Sequence, residues 1–172
     1  MPPSARDPQV SSLRVVVSDS GPLICLGRLN LLRLLPALFA EVQVPEQVLR
    51  ECAARPDNDD AARIAAAIDN GWLTPCGPQS MADGPLGSGE RAAIARAIAI
   101  GAGVLTDDLQ ARVYAESLRL IVFGTLGVLV RAKRANLVPK VAPLIDQLRA
   151  SGQRYGQGVV NQVLAAADEL HP

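Results

Sequence analysis

A doubly covered α/β fold, with a mostly parallel sheet and helices on both of its faces, is what this 172-residue sequence predicts. Short β-branched runs alternate with longer helical patterns through short connections, which is the signature of βαβ units. The short runs are apolar almost throughout, as strands buried on both faces of a parallel sheet must be. Apolar residues make up 49% of the chain and charged residues 20%. A chain of this length buries roughly 70% of its unfolded surface, so it has a core. Disorder, which needs low hydrophobicity and high net charge, is excluded.

The elements follow in order. Residues 1–13 carry Pro, Ser and Asp and read as a loose tail; residues 14–172 read as one domain, without repeat or linker. Arg14–Ser18 is a β-branched strand ending at Asp19, and Pro22 suits the first turn of the helix that follows. Leu23–Leu38 is helical, broken near Asn30 and Pro36; Glu41–Val44 is a strand stopped by Pro45; Glu46–Ala54 is a helix. The polar loop from Pro56 to Asp60 opens a helix over Ala61–Asp69, and Trp72–Thr74 is a brief strand. Pro75–Ser88 is a Pro/Gly-rich loop before the helix Glu90–Ile100, which Gly101 ends. Gly103–Thr106 is a strand ending at Asp107, Leu109–Leu118 a helix, and Leu120–Phe123 a strand ending at Gly124-Thr125. Helices over Leu126–Ala135, Val141–Ala150 and Val159–Leu170 complete the chain, those after about residue 136 forming a C-terminal extension.

Several function classes fall away. The start has no apolar signal segment, and the longest apolar run, near Leu120–Val130, is too short for the roughly 20 residues of a membrane span. A cytoplasmic protein without membrane attachment is expected. Cys25, Cys52 and Cys76 make neither a zinc spacing nor a disulfide framework and read as small core residues. There is no GxxxxGK[ST], and Gly84–Gly89 is not a dinucleotide fingerprint, so no nucleotide cofactor is expected. The single histidine, His171, is penultimate, which argues against histidine-based catalysis. Aromatic residues are only 3%, so base-stacking platforms are few.

Carboxylates carry the positive signal. Open α/β sheets bind ligands beyond the carboxyl ends of their strands. Two apolar strands end there in acids, Asp19 and Asp107, the latter followed at once by Asp108. Glu90 opens its helix, and with Ile94 and Ile98 at successive fourth positions it is placed on the stripe facing the sheet. Glu51 follows Val48 by three residues and lies on or beside a packed face. Ionised carboxylates about 4 Å apart repel by about 4 kcal/mol per pair at an effective dielectric of about 20. Such a cluster needs protons or a cation. Oxygen ligands without His or Cys favour Mg²⁺ or Mn²⁺, ions that activate water and stabilise a phosphate under attack. Metal-dependent phosphodiester hydrolysis is the resulting expectation.

The ordered motifs Val16-Val-Ser-Asp19-Ser20-Gly-Pro-Leu-Ile, Val44-Pro-Glu-Gln-Val-Leu-Arg-Glu51, Leu86-Gly-Ser-Gly-Glu90, Val104-Leu-Thr106-Asp107-Asp108 and Gly124-Thr125-Leu-Gly-Val-Leu together resemble PIN-domain proteins. The nearest likeness is to a prokaryotic PIN-like branch of unknown function related to VapC-type toxins, and it spans about Val15–Leu170. The resemblance implies a three-layer α/β/α sandwich with about five parallel strands. It also implies a metal-dependent endoribonuclease that leaves a 5′-phosphate and a 3′-hydroxyl, commonly the toxin of a toxin–antitoxin pair and commonly a homodimer. Matched residue by residue, Asp19, Glu51, Glu90 and Asp107 are the catalytic acids. Asp19, Glu90 and Asp107 are the metal ligands, with Asp108 auxiliary, and Ser20, Thr106 and Thr125 are structural or substrate-orienting hydroxyls. Many toxins carry Asp where Glu90 stands. The partners implied are RNA and a cognate antitoxin protein. The rival reading is a catalytically inactive PIN-like module that binds RNA or a protein, because a fold hosts many functions.

Net charge is zero, with 17 basic and 17 acidic residues. The balance hides a division: Arg131–Arg154 carries a local charge of +5 and Glu41–Asp69 one of −4. The basic segment is placed either against an RNA backbone or an acidic partner, or as the solvated face of two helices.

Overall fold

The computed structural model describes residues 15–55, 58–80 and 84–170; the tail at 1–13, Asp57 and His171 lie outside the described residues. Among them the chain order is β1 (Val15–Ser18), α1 (Ser20–Arg28), α2 (Leu34–Leu38), β2 (Glu41–Pro45), α3 (Glu46–Ala53), α4 (Asp59–Asp69), β3 (Thr74–Cys76) and α5 (Ser88–Ile100). It continues with β4 (Gly103–Leu105), α6 (Leu109–Ser117), β5 (Val122–Phe123), α7 (Thr125–Arg134), α8 (Ala142–Ala150) and α9 (Gln157–Ala166). All five strands are parallel, in the order β3-β2-β1-β4-β5. No helix among the described residues is long and apolar enough to cross a membrane.

The sheet is covered on both faces, giving the expected three layers. Adjacent strand residues point to opposite sides. Val16 and Leu105 join the larger apolar cluster, with α1, α2, α3, α4, α7, α8 and α9 contributing Leu23, Val48, Ile64, Leu129, Leu148 and Val160 among others. Val17 and Val104 face the smaller cluster, built from alanines and Ile94 of α5 and from Ala111 and Ala115 of α6. Those small side chains let α5 approach β1, β2 and β4 closely.

Some expected boundaries move for local reasons. The brief strand lies at Thr74–Cys76 instead of Trp72–Thr74, because Gly71 has a φ of 72° and the Trp72 N–H bonds to the Ala67 carbonyl, closing α4. Pro45 stops β2 as expected, and is itself the last strand residue, in register with Cys76. The leucine-rich segment does break at Asn30, with φ of 54°. Pro36 breaks nothing: it lies in the first turn of α2, where its missing N–H has no helical partner to lose. The last helix ends at Ala166, well before Leu170, because Asp168 takes a φ of 55° and turns Glu169 back toward α8.

The strand order fixes where a site can form. The chain leaves β1 for β2 on one side and returns to β4 on the other, so the crevice of this sheet opens at the carboxyl ends of β1 and β4. Ser18 pairs with Leu105, which sets the next residues, Asp19 and Thr106, side by side.

Candidate active site

Asp19 is the innermost acid. It caps α1, is only 3% exposed, and its own N–H bonds to the Leu105 carbonyl across the β1–β4 junction at 2.8 Å. Its Oδ1 accepts the Ser20 N–H at 2.7 Å, and its Oδ2 accepts the Thr106 hydroxyl at 3.2 Å. Burial pushes its carboxyl up from 3.8 to about 7. The Glu90 and Glu51 charges add to the rise, and the bonds from Ser20 and Thr106 oppose it.

Asp107 stands on the adjoining strand end, with its Cβ 3.7 Å from where a Cβ on Gly21 would lie. Thr125, fully buried at the start of α7, holds it twice: the N–H donates to Oδ1 at 2.7 Å and the hydroxyl to Oδ2 at 2.5 Å. An acid at a helix N-terminus is favoured by the unpaired N–H groups there. Thr106 ties Asp19 to the turn after β4, because it donates to Asp19 and accepts the Asp108 N–H at 3.3 Å. Asp108 turns to cap α6, accepting the Ala111 N–H at 2.7 Å, while its charge still reaches Glu90.

Glu51 reaches the same edge from α3. Its Oε2 accepts the Ser20 hydroxyl at 3.0 Å, and its Oε1 accepts the Ser88 hydroxyl at 3.1 Å and the Gly89 N–H at 2.8 Å. Gly89 is therefore a packed residue inside the first turn of α5. A Cβ there would lie 2.5 Å from Glu51 Oε2 and 2.7 Å from Oε1. Helix propensity alone would have Gly89→Ala stabilise the protein by up to about 1 kcal/mol. We expect a loss of about 1 kcal/mol instead, because Glu51 gives up charge-assisted bonds when it moves aside, together with weakened activity. Thermal unfolding checks the sign, and a raised Tm with unchanged activity would show that Glu51 does not need this seat.

Glu90 occupies the third position of α5, and its carboxylate folds back on the Gly87 N–H, the reciprocal half of a capping box. A Cβ on Gly87 would collide with the Glu90 carboxylate. Burial raises the Glu90 carboxyl, and the charges of Asp108 and Glu51 add to the rise. The expected stripe Glu90-Ile94-Ile98 is corrected: Ile94 is buried but Ile98 is 52% exposed, and Ala97 takes the third buried place. At about 100° per residue, position i+7 returns to the starting face whereas i+8 overshoots it.

Asp19, Glu51, Glu90, Asp107, Asp108 and the three hydroxyls thus share one edge of the sheet. Their oxygen-only donor set suits a hard divalent cation. Yet among the described residues no group of three or more Asp, Glu, His or Cys stands as a ready-made metal cluster. Glu90 is turned to Gly87, and Glu51 is occupied by Gly89, Ser20 and Ser88.

One participant lies outside the expected set. Arg112 Nη2 is 2.7 Å from where a Cβ on Gly124 would lie, and Asp107 Oδ1 is 3.1 Å from the same point, so Gly124 keeps room for a cation beside an acid. The step from Asp108 to Arg112 spans one helical turn, a spacing that was available to sequence reasoning. The basic segment is largely tied up within the fold. Lys133 pairs with Glu169 at 2.8 Å, Arg134 donates to the Ala166 carbonyl, Arg149 to the Tyr155 carbonyl, and Arg131 lies over the Phe123 ring.

A family model described as DUF3368, a PIN domain, matches residues 15–169. Among solved structures, the chain is similar to a PilT N-terminus domain protein, SSO1118, from the hyperthermophilic archaeon Sulfolobus solfataricus P2. The identity is 14% over 83% of this chain and 98% of that chain, with a TM-score of 0.45. No curated protein matches the chain significantly.

Proposed function

The chain belongs to the PIN-domain family DUF3368, whose fold is of the nuclease type, and we propose that it is a metal-dependent endoribonuclease. One observation carries the reading: neighbouring parallel strands deliver Asp19 and Asp107 to the switch point of the sheet, where Glu51 and Glu90 join them around a buried carboxyl held near 7. Such perturbed acids gathered at one edge of a sheet are a functional signature.

In this proposal Asp19, Glu90 and Asp107 hold Mg²⁺ or Mn²⁺, Asp108 assists, and Glu51 completes the acidic pocket. The cation supplies a more acidic water and neutralises charge on the phosphodiester. The chain's own groups do the positioning. Ser20 and Thr106 fix both oxygens of Asp19, Thr125 fixes those of Asp107, and Gly89 with Ser88 and Ser20 seats Glu51. Glu90 would be the adjustable member, since its carboxylate rests on backbone N–H groups of the α5 N-terminus, those of Gly87 and of Glu90 itself. Water oxygen bonds to phosphorus, the P–O3′ bond breaks, and O3′ takes a proton, leaving a 5′-phosphate and a 3′-hydroxyl. Arg112, beside Asp107 and paired with Glu116 at 3.9 Å through its other terminal nitrogen, would direct Nη2 to a phosphate oxygen.

Cleavage of structured RNA with Mn²⁺ and with EDTA, by wild type and Asp107→Asn, tests this. We expect cleavage by wild type with Mn²⁺ only, and a loss of at least about 100-fold in the variant, as for removal of a metal-ligand or charge-stabilising group. Glu51 and Asp107 engage both of their oxygens with donors of this chain, which favours a second reading, an inactive binding module. Absence of cleavage together with no Mn²⁺-induced rise in Tm would decide for it.

The toxin role, with an antitoxin protein as partner, belongs to the same proposal and draws support from the family alone. Growth arrest on expression, relieved by Asp107→Asn, is its test. A homodimer is proposed on the exposed apolar stripe of α6, where Leu109 is 71% exposed and Val113, Tyr114 and Leu118 continue along the helix.

A further inference from the structure

We propose that Gln47 and Glu51 of α3 are positioning residues for Glu90: they hold the two ends of the connection between β3 and α5, and Glu51 caps α5 from outside that helix. The consequence for metal binding rests on the nuclease reading; the hydrogen bonds do not.

α3 is a firm base for this. It follows β2 without a connection, and Val48 and Cys52 bury its inner face. Gln47 and Glu51 each stand one position before those two, so they share a neighbouring face, one helical turn apart. Gln47 grips the chain just after β3 twice. Its Nε2 donates to the Gln79 carbonyl at 2.7 Å, and its Oε1 accepts the Gln79 N–H at 3.3 Å. Glu51 grips the chain where α5 begins, through the Ser88 hydroxyl and the Gly89 N–H.

The start of α5 needs that grip. The first N–H groups of a helix have no partner within it, and a Ser, Thr, Asp or Asn at the cap usually serves one of them. Here the cap is Gly87, which has no side chain to offer. Glu90 serves the N–H groups of Gly87 and of itself, and the buried Gly89 N–H goes to Glu51. A carboxylate of another helix thus takes the place of a capping side chain one turn from its own helix end. Its second oxygen accepts the Ser20 hydroxyl in the first turn of α1, the helix that Asp19 caps. One carboxylate therefore joins the two helix starts that carry Asp19 and Glu90. Three of its roughly four acceptor positions are filled by this chain. That makes Glu51 a strut between helices and sets it apart from the ligands.

Amide hydrogen exchange of the full chain without metal tests the strut directly. Glu51→Ala should speed exchange of the Gly89 amide about 10- to 100-fold, the scale of a hydrogen bond to a charged acceptor. Glu51→Gln, whose amide oxygen still accepts the Gly89 N–H, should speed it less than about 10-fold. Gln47→Leu should speed the Gln79 amide about 5-fold and the Gly89 amide by a smaller factor. Amides of β4 should keep wild-type exchange in all three variants. Calorimetry with Mn²⁺ then separates a strut from a ligand. Apparent affinity should fall at least about 10-fold in Glu51→Ala, as when a ligand loses its outer partner, but only about 3-fold in Glu51→Gln. It should also fall about 3-fold in Gln47→Leu, which removes no charge from the acidic edge. Gly89 exchange left unmoved by Glu51→Ala or by Gln47→Leu overturns the proposal. So does acceleration of all amides alike, which would make α3 a packing element only. Equal losses of Mn²⁺ affinity in Glu51→Gln and Glu51→Ala would place Glu51 among the ligands and overturn it as well. If wild type takes up no Mn²⁺, the nuclease reading fails, and exchange at Gly89 and Gln79 alone decides the positioning role.

Discussion

Asp19→Asn should abolish RNA cleavage and, in metal-free buffer near pH 8, make the protein more stable than wild type. The two effects share one cause. Asp19 is buried beside other acids, so its ionised form is unfavourable in the folded chain, and its carboxyl sits near 7 against 3.8 when free. A folded value above the unfolded one means that protonation favours folding. Wild-type stability is therefore greatest below pH 3.8 as far as this group is concerned, and declines as pH rises toward and through 7. At about 1.4 kcal/mol for each tenfold change, the ceiling of that loss is about 4 kcal/mol. Asparagine keeps acceptors for Ser20 and Thr106 on the two sides of the group only in part, so we expect a net gain of about 2 kcal/mol at pH 8 and none at pH 4. Thermal unfolding of both proteins at the two pH values in EDTA gives the answer. Mn²⁺ should raise the Tm of wild type and leave that of the variant unmoved. A variant less stable than wild type at pH 8 without metal would show that the Asp19 charge is already compensated.

Glu169→Ala should cost about 3 kcal/mol, lowering Tm by on the order of 10 °C. The Glu169 side chain is 8% exposed and accepts the Lys133 ammonium at 2.8 Å, the Val141 N–H at 2.6 Å and the Ala142 N–H at 2.9 Å. It thereby closes α9 onto the start of α8 and the end of α7. Burial pushes its carboxyl up, but the Lys133 side chain and the two N–H groups outweigh that and hold it below its ordinary value. The sign is opposite to that of Asp19. A lowered folded value gives stability that is present above the unfolded value and is lost as pH falls through the folded one. Wild type should thus lose its advantage over Glu169→Ala in acid, and chemical denaturation at pH 7 and pH 3 measures it. An equal difference at both pH values would mean that Glu169 acts by packing instead of charge. The penalty stays below that of a fully sealed pair because Lys133, half-buried, can swing to water once abandoned.

The acids at strand ends were legible because the feature that marks them is local. An apolar run that stops at a carboxylate reads the same in the sequence and in the sheet, and Asp19 and Asp107 stand where those runs end. Glu51 was legible as a helix residue near a packed face, but its partners Ser20, Ser88 and Gly89 lie 31 to 38 positions away. The Glu90 face was misassigned at Ile98 because a fixed spacing of four drifts around a helix that needs 3.6 residues per turn. The displaced strand at Thr74–Cys76 failed for a similar reason: Trp72 and Leu73 have strand-like composition, but the α4 closing turn claims the Trp72 N–H.

By itself, the sequence determined the α/β alternation, the two carboxylates that end buried strands, and the family, because each depends on order along the chain and on periodicity. Only the tertiary structure decided that β1 and β4 are neighbours, and so that Asp19 and Asp107 meet. It also decided that Lys133 and Arg134 of the basic segment bond to Glu169 and to the Ala166 carbonyl at the end of α9. The physical reason is the same in each case. Charge and hydrogen-bonding groups act over a few ångströms in space, and strand order brings together residues that their separation along the chain keeps apart.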